Sequence, residues 1–302
     1  VKNRVRLFAV AILITVPLVA QPRGTSEPSH GRAEVRLQGW SFGNFFQVST
    51  PTPTQDVSAL GTELRAAFRP GPSPLEVYAH ANYLNYDETD RESTYGGRIG
   101  LAMDTDVHDF NVFVDRAENR ASFDIGDTVA VANVTTFGGE YSYTWNKTWQ
   151  FGAEATKEKQ RFNVTTNEEN DYNALGASVR YRGFGYKFSP EVGFVNANRD
   201  SKDANERYDD DYWYVQLVSI PISSVYMSLE YRARERKYEI DNPTASNFRR
   251  VDERPQWSFV GSYIFNRRYS GLLYYSRESV DSSRPGRDFD SDILILSLIV
   301  GF

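Results

Sequence analysis

The stretch that decides the fold runs from Asp292 to Phe302, DILILSLIVGF. Counting back by two from Phe302 gives Val300, Leu298, Leu296 and Leu294, a period-2 apolar face of the kind a β-strand presents. Ile293, Ile295 and Ile299 make the opposite face apolar too. Taken alone, the stretch fits both a strand facing hydrocarbon and a buried strand of a soluble sheet. The rest of the chain separates the two.

Working outward, similar segments lie at roughly 33–46, 57–69, 74–86, 94–104, 107–117, 134–145, 148–160, 171–183, 186–196, 210–221, 224–236, 256–265, 268–278 and 289–302. Every second connection is tight: Pro70-Gly71-Pro72-Ser73, Thr105-Asp106, Asn146-Lys147, Gly183-Phe184-Gly185, Ile222-Ser223 and Asn266-Arg267. These have turn chemistry or hairpin length. The connections between them are long and polar, as in Glu118 to Asn133, Asn196 to Asp209 and Lys237 to Pro255. A sandwich gives turn signals without this strict alternation, whereas a transmembrane barrel has short turns at one rim and long loops at the other. The spacing predicts an all-β, antiparallel up-and-down barrel of about 14 strands, with 12 as the alternative.

The faces agree. Leu60, Leu64, Ala66 and Phe68 oppose Glu63, Arg65 and Arg69, and Leu75, Val77, Ala79, Ala81 and Tyr83 oppose Glu76, His80 and Asn82. Ile99 and Leu101 face away from Arg98, Phe137 and Tyr141 from Glu140, Phe151 and Ala153 from Glu154, and Met227 and Leu229 from Glu230 and Arg232. In a membrane barrel the apolar side meets lipid and the polar side lines the lumen. Three features resist: Pro190 inside a segment predicts a bulge or a shorter strand, segments 33–46 and 268–278 have ambiguous faces, and the ends of segment 134–145 can slide by a few residues.

Lys2, Arg4 and Arg6 precede an apolar run from Leu7 to Ala20, which reads as a secretory signal over 1–20. A span needs about 20 apolar residues, so this run is short for a retained anchor. A polar segment over 21–32 and a barrel over 33–302 complete the expected organisation. The chain has no cysteine, which excludes disulfides and thiolate chemistry. A net charge of -6 argues against a nucleic-acid partner.

A closing strand with a terminal aromatic resembles the carboxy-terminal signal of Gram-negative outer-membrane β-barrel proteins. The layout of the whole mature chain is similar to that of monomeric porins of 12–14 strands, including acidic-oligosaccharide porins. That resemblance implies an outer-membrane location, contact with lipid and lipopolysaccharide, and recognition of the last strand by the barrel-assembly machinery. No family-specific motif carries it, so no substrate follows.

The expected pore-lining set is Glu63, Arg65, Glu76, Arg98, Glu140, Glu154, Arg180, Arg182, Lys187, Glu191, Glu230, Arg232 and Arg234. Trp145, Trp149, Tyr186, Phe265, Tyr269 and Phe302 are expected at the membrane interface beside the short turns. No catalytic constellation, metal-ligand spacing or cofactor motif is recognisable around His80, His108 or elsewhere. The acidic stretches Asp87 to Glu92 and Asn205 to Asp211 read as solvated loops rather than cation sites. The expected function is a channel for small hydrophilic solutes. The alternative is a narrow or plugged barrel serving as adhesin, receptor or export component, which suits the apolar inner face of the last strand. Arg180, Arg182, Arg232 and Arg234 form either a basic strip favouring anions or a brace tied to Glu140, Glu154, Glu191 and Glu230.

Overall fold

The computed structural model describes residues 31–71, 73–86, 93–122, 130–184, 187–202, 207–239, 249–284 and 288–302, apart from 44–56, 123–129 and 163–168. The strands are β1 (Gly31–Gly43), β2 (Val57–Phe68), β3 (Leu75–Tyr86), β4 (Thr94–Asp104), β5 (His108–Ser122), β6 (Ala130–Trp145), β7 (Trp149–Phe162) and β8 (Glu169–Tyr181). They continue as β9 (Ser189–Ser201), β10 (Tyr208–Ile222), β11 (Val225–Tyr238), β12 (Val251–Glu253), β13 (Gln256–Ile264), β14 (Tyr269–Ser282) and β15 (Phe289–Gly301). Because β12 and β13 both pair with β11 and β14, they are one stave interrupted at Pro255, which cannot donate to a ladder. The result is a closed antiparallel barrel of 14 staves.

Closure is made by β1 against β15, from Glu34 opposite Gly301 to Gly43 opposite Asp292. Phe302 adds a last reciprocal pair, its N–H donating to the Ala33 carbonyl at 2.8 Å and its carbonyl accepting from the Ala33 N–H at 3.3 Å. The closing ladder begins at Glu34, so every stave, the first and the last included, has two neighbours. Around the circle the registers advance by about 16 residues, which corresponds to a strand tilt near 40° and a backbone radius of about 13 Å.

Residues directly opposite each other share a face. The row Arg180, Glu191, Gln216, Glu230, Ser258, Ser276 and Ile293 therefore fixes the inward side of seven consecutive staves. It also settles the ambiguous segments, since Leu272, Tyr274 and Ser276 of β14 turn inward while Gly271, Leu273 and Tyr275 turn outward. The outward face is an apolar belt in which Leu60 is 73% and Leu175 66% exposed. A surface of this extent is stable only against hydrocarbon.

The short connections follow from turn chemistry. Asn146 and Lys147 both take positive φ, at 51° and 56°, and the Thr148 N–H donates to the Trp145 carbonyl at 3.1 Å, giving a type I′ turn. Asn accepts this backbone readily and Lys does not. Lys147→Gly is expected to raise the unfolding midpoint in urea, by about 0.5–1 kcal/mol of stability. A lowered midpoint would show that the turn takes another form. The Asn266 side-chain oxygen accepts from the N–H groups of Arg268 and Tyr269 at 2.8 and 3.1 Å, and Thr105 does the same for Val107 and His108.

Pro190 sits second in β9, opposite Leu217 of β10, while the ladder to β8 ends at Arg180 opposite Glu191. The expected shortening therefore occurs on one side only. Pro221 lies where the β10–β11 register shifts between Ser219 and Ile222, and Asn119, at φ 55°, lies in the β5–β6 irregularity. The expected signal over 1–20 and His30 lie outside the described residues, and β1 begins at Gly31, two residues inside the segment expected to precede the barrel.

Several strands extend further toward the long loops than alternation indicates. On β9 the outward residues pass from Val192 and Phe194 to Asn196, Asn198 and Asp200, while Val195, Ala197, Arg199 and Ser201 beside them are buried. On β7 Phe151, Ala153 and Ala155 give way to Lys157, Lys159 and Arg161. Above the hydrocarbon the barrel thus changes from apolar outside to polar outside with a packed interior. Side chains at this outer rim are paired across strands: Arg161 holds the Glu169 carboxyl below its usual range, and Ser279 followed by Arg277 does the same for Asp290.

Candidate functional site

The concave feature of the fold is the lumen, and its two walls are built differently. From β6 to β8 the inward positions include Gly138, Gly152, Thr156, Ala174, Gly176 and Ser178, together with Glu140 and Glu154. Glu154 stands opposite Glu140 on one side and Gly176 on the other, so it points inward, yet it is exposed. Space for water therefore exists inside the barrel at this level.

The facing wall, β10 to β1, is bulky. Val218, Tyr226, Val260, Tyr274 and Ile295 are buried together, with Trp40, Ile220, Leu272 and Ile293 packed against them. Part of this cluster follows one row of directly opposed residues, Val218, Ser228, Val260, Tyr274, Ile295 and Trp40. The apolar inner face of the last strand is thus one side of a packed seam within the lumen, which displaces the open space toward β6–β8.

Glycine seats keep several rings flat against the wall. A Cβ at Gly138 would lie 2.2 Å from Cζ of Phe113, directly opposite it on β5, and one at Gly193 would lie 2.3 Å from Tyr214. Tyr78 lies over Gly100 in the same way. Such residues line the lumen instead of projecting across it.

The inward charges form short cross-strand networks. Glu63 is held by Arg65 at 2.5 Å and Arg36 at 3.5 Å, with the His80 Nδ1 at 3.4 Å, while His80 Nε2 lies 3.8 Å from Asp115, the partner of Arg98 at 3.0 Å. Glu76 joins Arg32 and Arg69 near the short-turn rim. Toward the long loops Arg250 holds Asp252 at 2.6 Å, Arg254 holds Glu278 at 3.0 Å, and Asp210 accepts from both Arg234 and Arg236.

The four arginines singled out from the sequence are engaged. Arg180 pairs with Glu191, Arg232 with Glu230 at 2.7 Å and Arg234 with Asp210, while Arg182 donates to Thr144 at 3.4 Å. Arg232 also lies over the Tyr212 ring at 4.8 Å. Two of the four carboxylates expected as braces are their partners. The third partner, Asp210, belongs to the stretch taken as an acidic loop, because Tyr208 to Asp211 are strand and alternate Asp210 inward. Asp87 to Glu92, Asn205 and Glu206 lie outside the described residues.

Lys187 lies at the short-turn rim, exposed and outside the strands. Trp145, Trp149, Phe265, Tyr269 and Phe302 are exposed beside the short turns, at 51, 39, 59, 45 and 77%; Tyr186 lies outside the described residues. His108 is also at this rim, with its Nδ1 2.9 Å from the Tyr141 hydroxyl and its ring beside Tyr143. Among the described residues no group of three acidic or histidine side chains is placed to hold a metal ion.

No family model matches the sequence. No curated protein matches it either. Solved structures do match the fold. An outer-membrane channel from Pseudomonas putida F1 is 13% identical, with 92% of this chain and 97% of that chain covered and a TM-score of 0.52. A bacterial polysaccharide outer-membrane secretin is 11% identical, with 89% and 97% covered and a TM-score of 0.52. With its apolar outward belt and closed barrel, the chain has the fold of the outer-membrane β-barrel proteins to which it is similar.

Proposed function

We propose that the protein is a porin-like channel through which small hydrophilic solutes cross the outer membrane. The observation that carries this reading is Glu154, an inward carboxylate exposed to water in a wall of small residues. The path runs beside β6–β8, past Glu140 and Glu154, with Glu158 and Gln160 toward the long loops and Asp109 and Ser142 toward the short turns. Glu230, Arg232 and Arg234 on β11 shape the opposite side, while Arg98 on β4 and the Arg180–Glu191 pair of β8 and β9 flank the path, each arginine braced by a carboxylate. Passage is passive, and assembly proceeds through the carboxy-terminal strand.

A second reading has a specific observation in its favour. At the long-loop level Val57, Ala132, Phe162, Arg199, Tyr208 and Asp252 are all buried, which suits a closed barrel acting as a receptor or export component. Liposome swelling with sugars of increasing size separates the two. A channel gives swelling with a size cutoff, narrower than its backbone radius implies because one wall of the lumen is packed with side chains. Folded protein that produces no swelling with the smallest sugar rejects the channel in favour of the closed barrel.

A further inference from the structure

We propose that Glu154 sets the charge preference of the passage, and that the channel conducts small cations in preference to anions. This rests on the channel reading, and the test below distinguishes the failure of each. The number of inward arginines alone points the other way, so what matters is which charges remain available to a moving ion.

Most of the inward arginines sit on carboxylates; Arg182 donates to Thr144 and Arg199 to Gln160. Arg36 and Arg65 share Glu63, Arg98 is on Asp115, Arg120 on Glu158, Arg180 on Glu191, Arg232 on Glu230, and Arg234 and Arg236 share Asp210. Their side chains are largely buried, from 3% exposed at Arg236 to 31% at Arg65. An ion passing such a pair meets a dipole, whose field falls off faster than that of a single charge.

Glu154 is placed differently, with Arg232, Glu191 and Glu230 within electrostatic reach. It is exposed, and its directly opposed neighbour across the β6–β7 ladder is another carboxylate, Glu140. Like charges facing each other in a sheet repel, and a cation between or beside them relieves that repulsion. Its other opposed neighbour, Gly176, has no side chain, and Glu154 leans over it so closely that a Cβ there would lie 2.5 Å from Oε1. The carboxylate therefore borders the open side of the lumen, with a local field that attracts cations and repels anions, as acidic rings do in cation channels.

The experiment is a reversal-potential measurement on the folded barrel in planar bilayers under a potassium chloride gradient. The wild-type potential is expected on the potassium side. Glu154→Gln should lower the potassium-to-chloride permeability ratio by about threefold to fivefold, most strongly at low salt, where screening is weak. Glu154→Lys should move the potential toward the chloride side. Folding of each variant is checked by its heat-shifted mobility in SDS. A wild-type potential at zero or on the chloride side overturns the cation preference and leaves the channel reading standing. An unchanged ratio in both variants, with conductance retained, overturns the role of Glu154. Folded protein that carries no current overturns both readings.

Discussion

Asp210→Asn is expected to destabilise the barrel by about 3–5 kcal/mol, the cost of stranding buried charges. Asp210 is 0% exposed and accepts from Nε and Nη2 of Arg234 and from Nη2 of Arg236. Those two guanidiniums are 19% and 3% exposed, so neither gains much hydration when its carboxylate is removed. Arg236 also lies 4.0 Å over the Tyr208 ring, which fixes it in place. The readout is the urea midpoint for unfolding from lipid vesicles, together with the temperature at which the folded band is lost in SDS. Replacing Asp210, Arg234 and Arg236 together by apolar residues of similar volume should recover much of the loss, because no charge is then left buried alone. A loss below about 1 kcal/mol for Asp210→Asn would show that this level of the lumen is hydrated.

The second large effect is expected on the lipid side. Leu298 lies at the middle of the outward run Leu294, Leu296, Leu298, Val300 and Phe302, opposite Leu37 of β1 and Gly271 of β14, and is 44% exposed. Leu298→Arg places a guanidinium near the centre of the hydrocarbon and should cost about 2–4 kcal/mol. Asn198→Arg is also an outward change to arginine, on β9, but lies beyond the last apolar outward residue, Phe194. It should stay within about 0.5 kcal/mol of wild type. Equal effects at both positions, measured by urea titration in the same vesicles, would mean that the belt has been misplaced along the strands.

Much of the fold was legible in the sequence because its determinants are local. Segment 94–104 coincides with β4, and at the tight turns the segments end within a residue or two of their strands at β2 (Val57–Phe68), β3 (Leu75–Tyr86), β6 (Ala130–Trp145) and β7 (Trp149–Phe162), whereas β9 begins at Ser189, three residues after the expected 186. A type I′ or Asx turn fixes the register of its hairpin. What escaped lay toward the long loops. β5 runs on to Ser122, β9 to Ser201 and β14 to Ser282, because alternation fades where the outward face meets water and both faces carry polar groups. Val251 to Glu253 was hidden for a further reason: a three-residue strand before Pro255 has no periodicity of its own.

The candidate site divides along the same line. That Glu63, Glu154, Arg180, Glu191, Glu230, Arg232 and Arg234 share one face of their strands follows from a period of two, which any reader of the sequence can apply. Their partners do not follow from it. Arg234 and Asp210 are 24 residues apart and meet only because the β10–β11 register sets Tyr212 opposite Arg234.

By itself, then, the sequence determined that this chain is a barrel of about fourteen staves with lipid outside and charge inside, since alternation and turn chemistry act over a few residues. The tertiary structure alone decided that most of the inward arginines are spent on carboxylates, that one wall is packed and the other open, and that Glu154 borders the open space. Those outcomes depend on registers set across long loops and on side-chain volume summed around a closed circle, neither of which is written in any short stretch of chain.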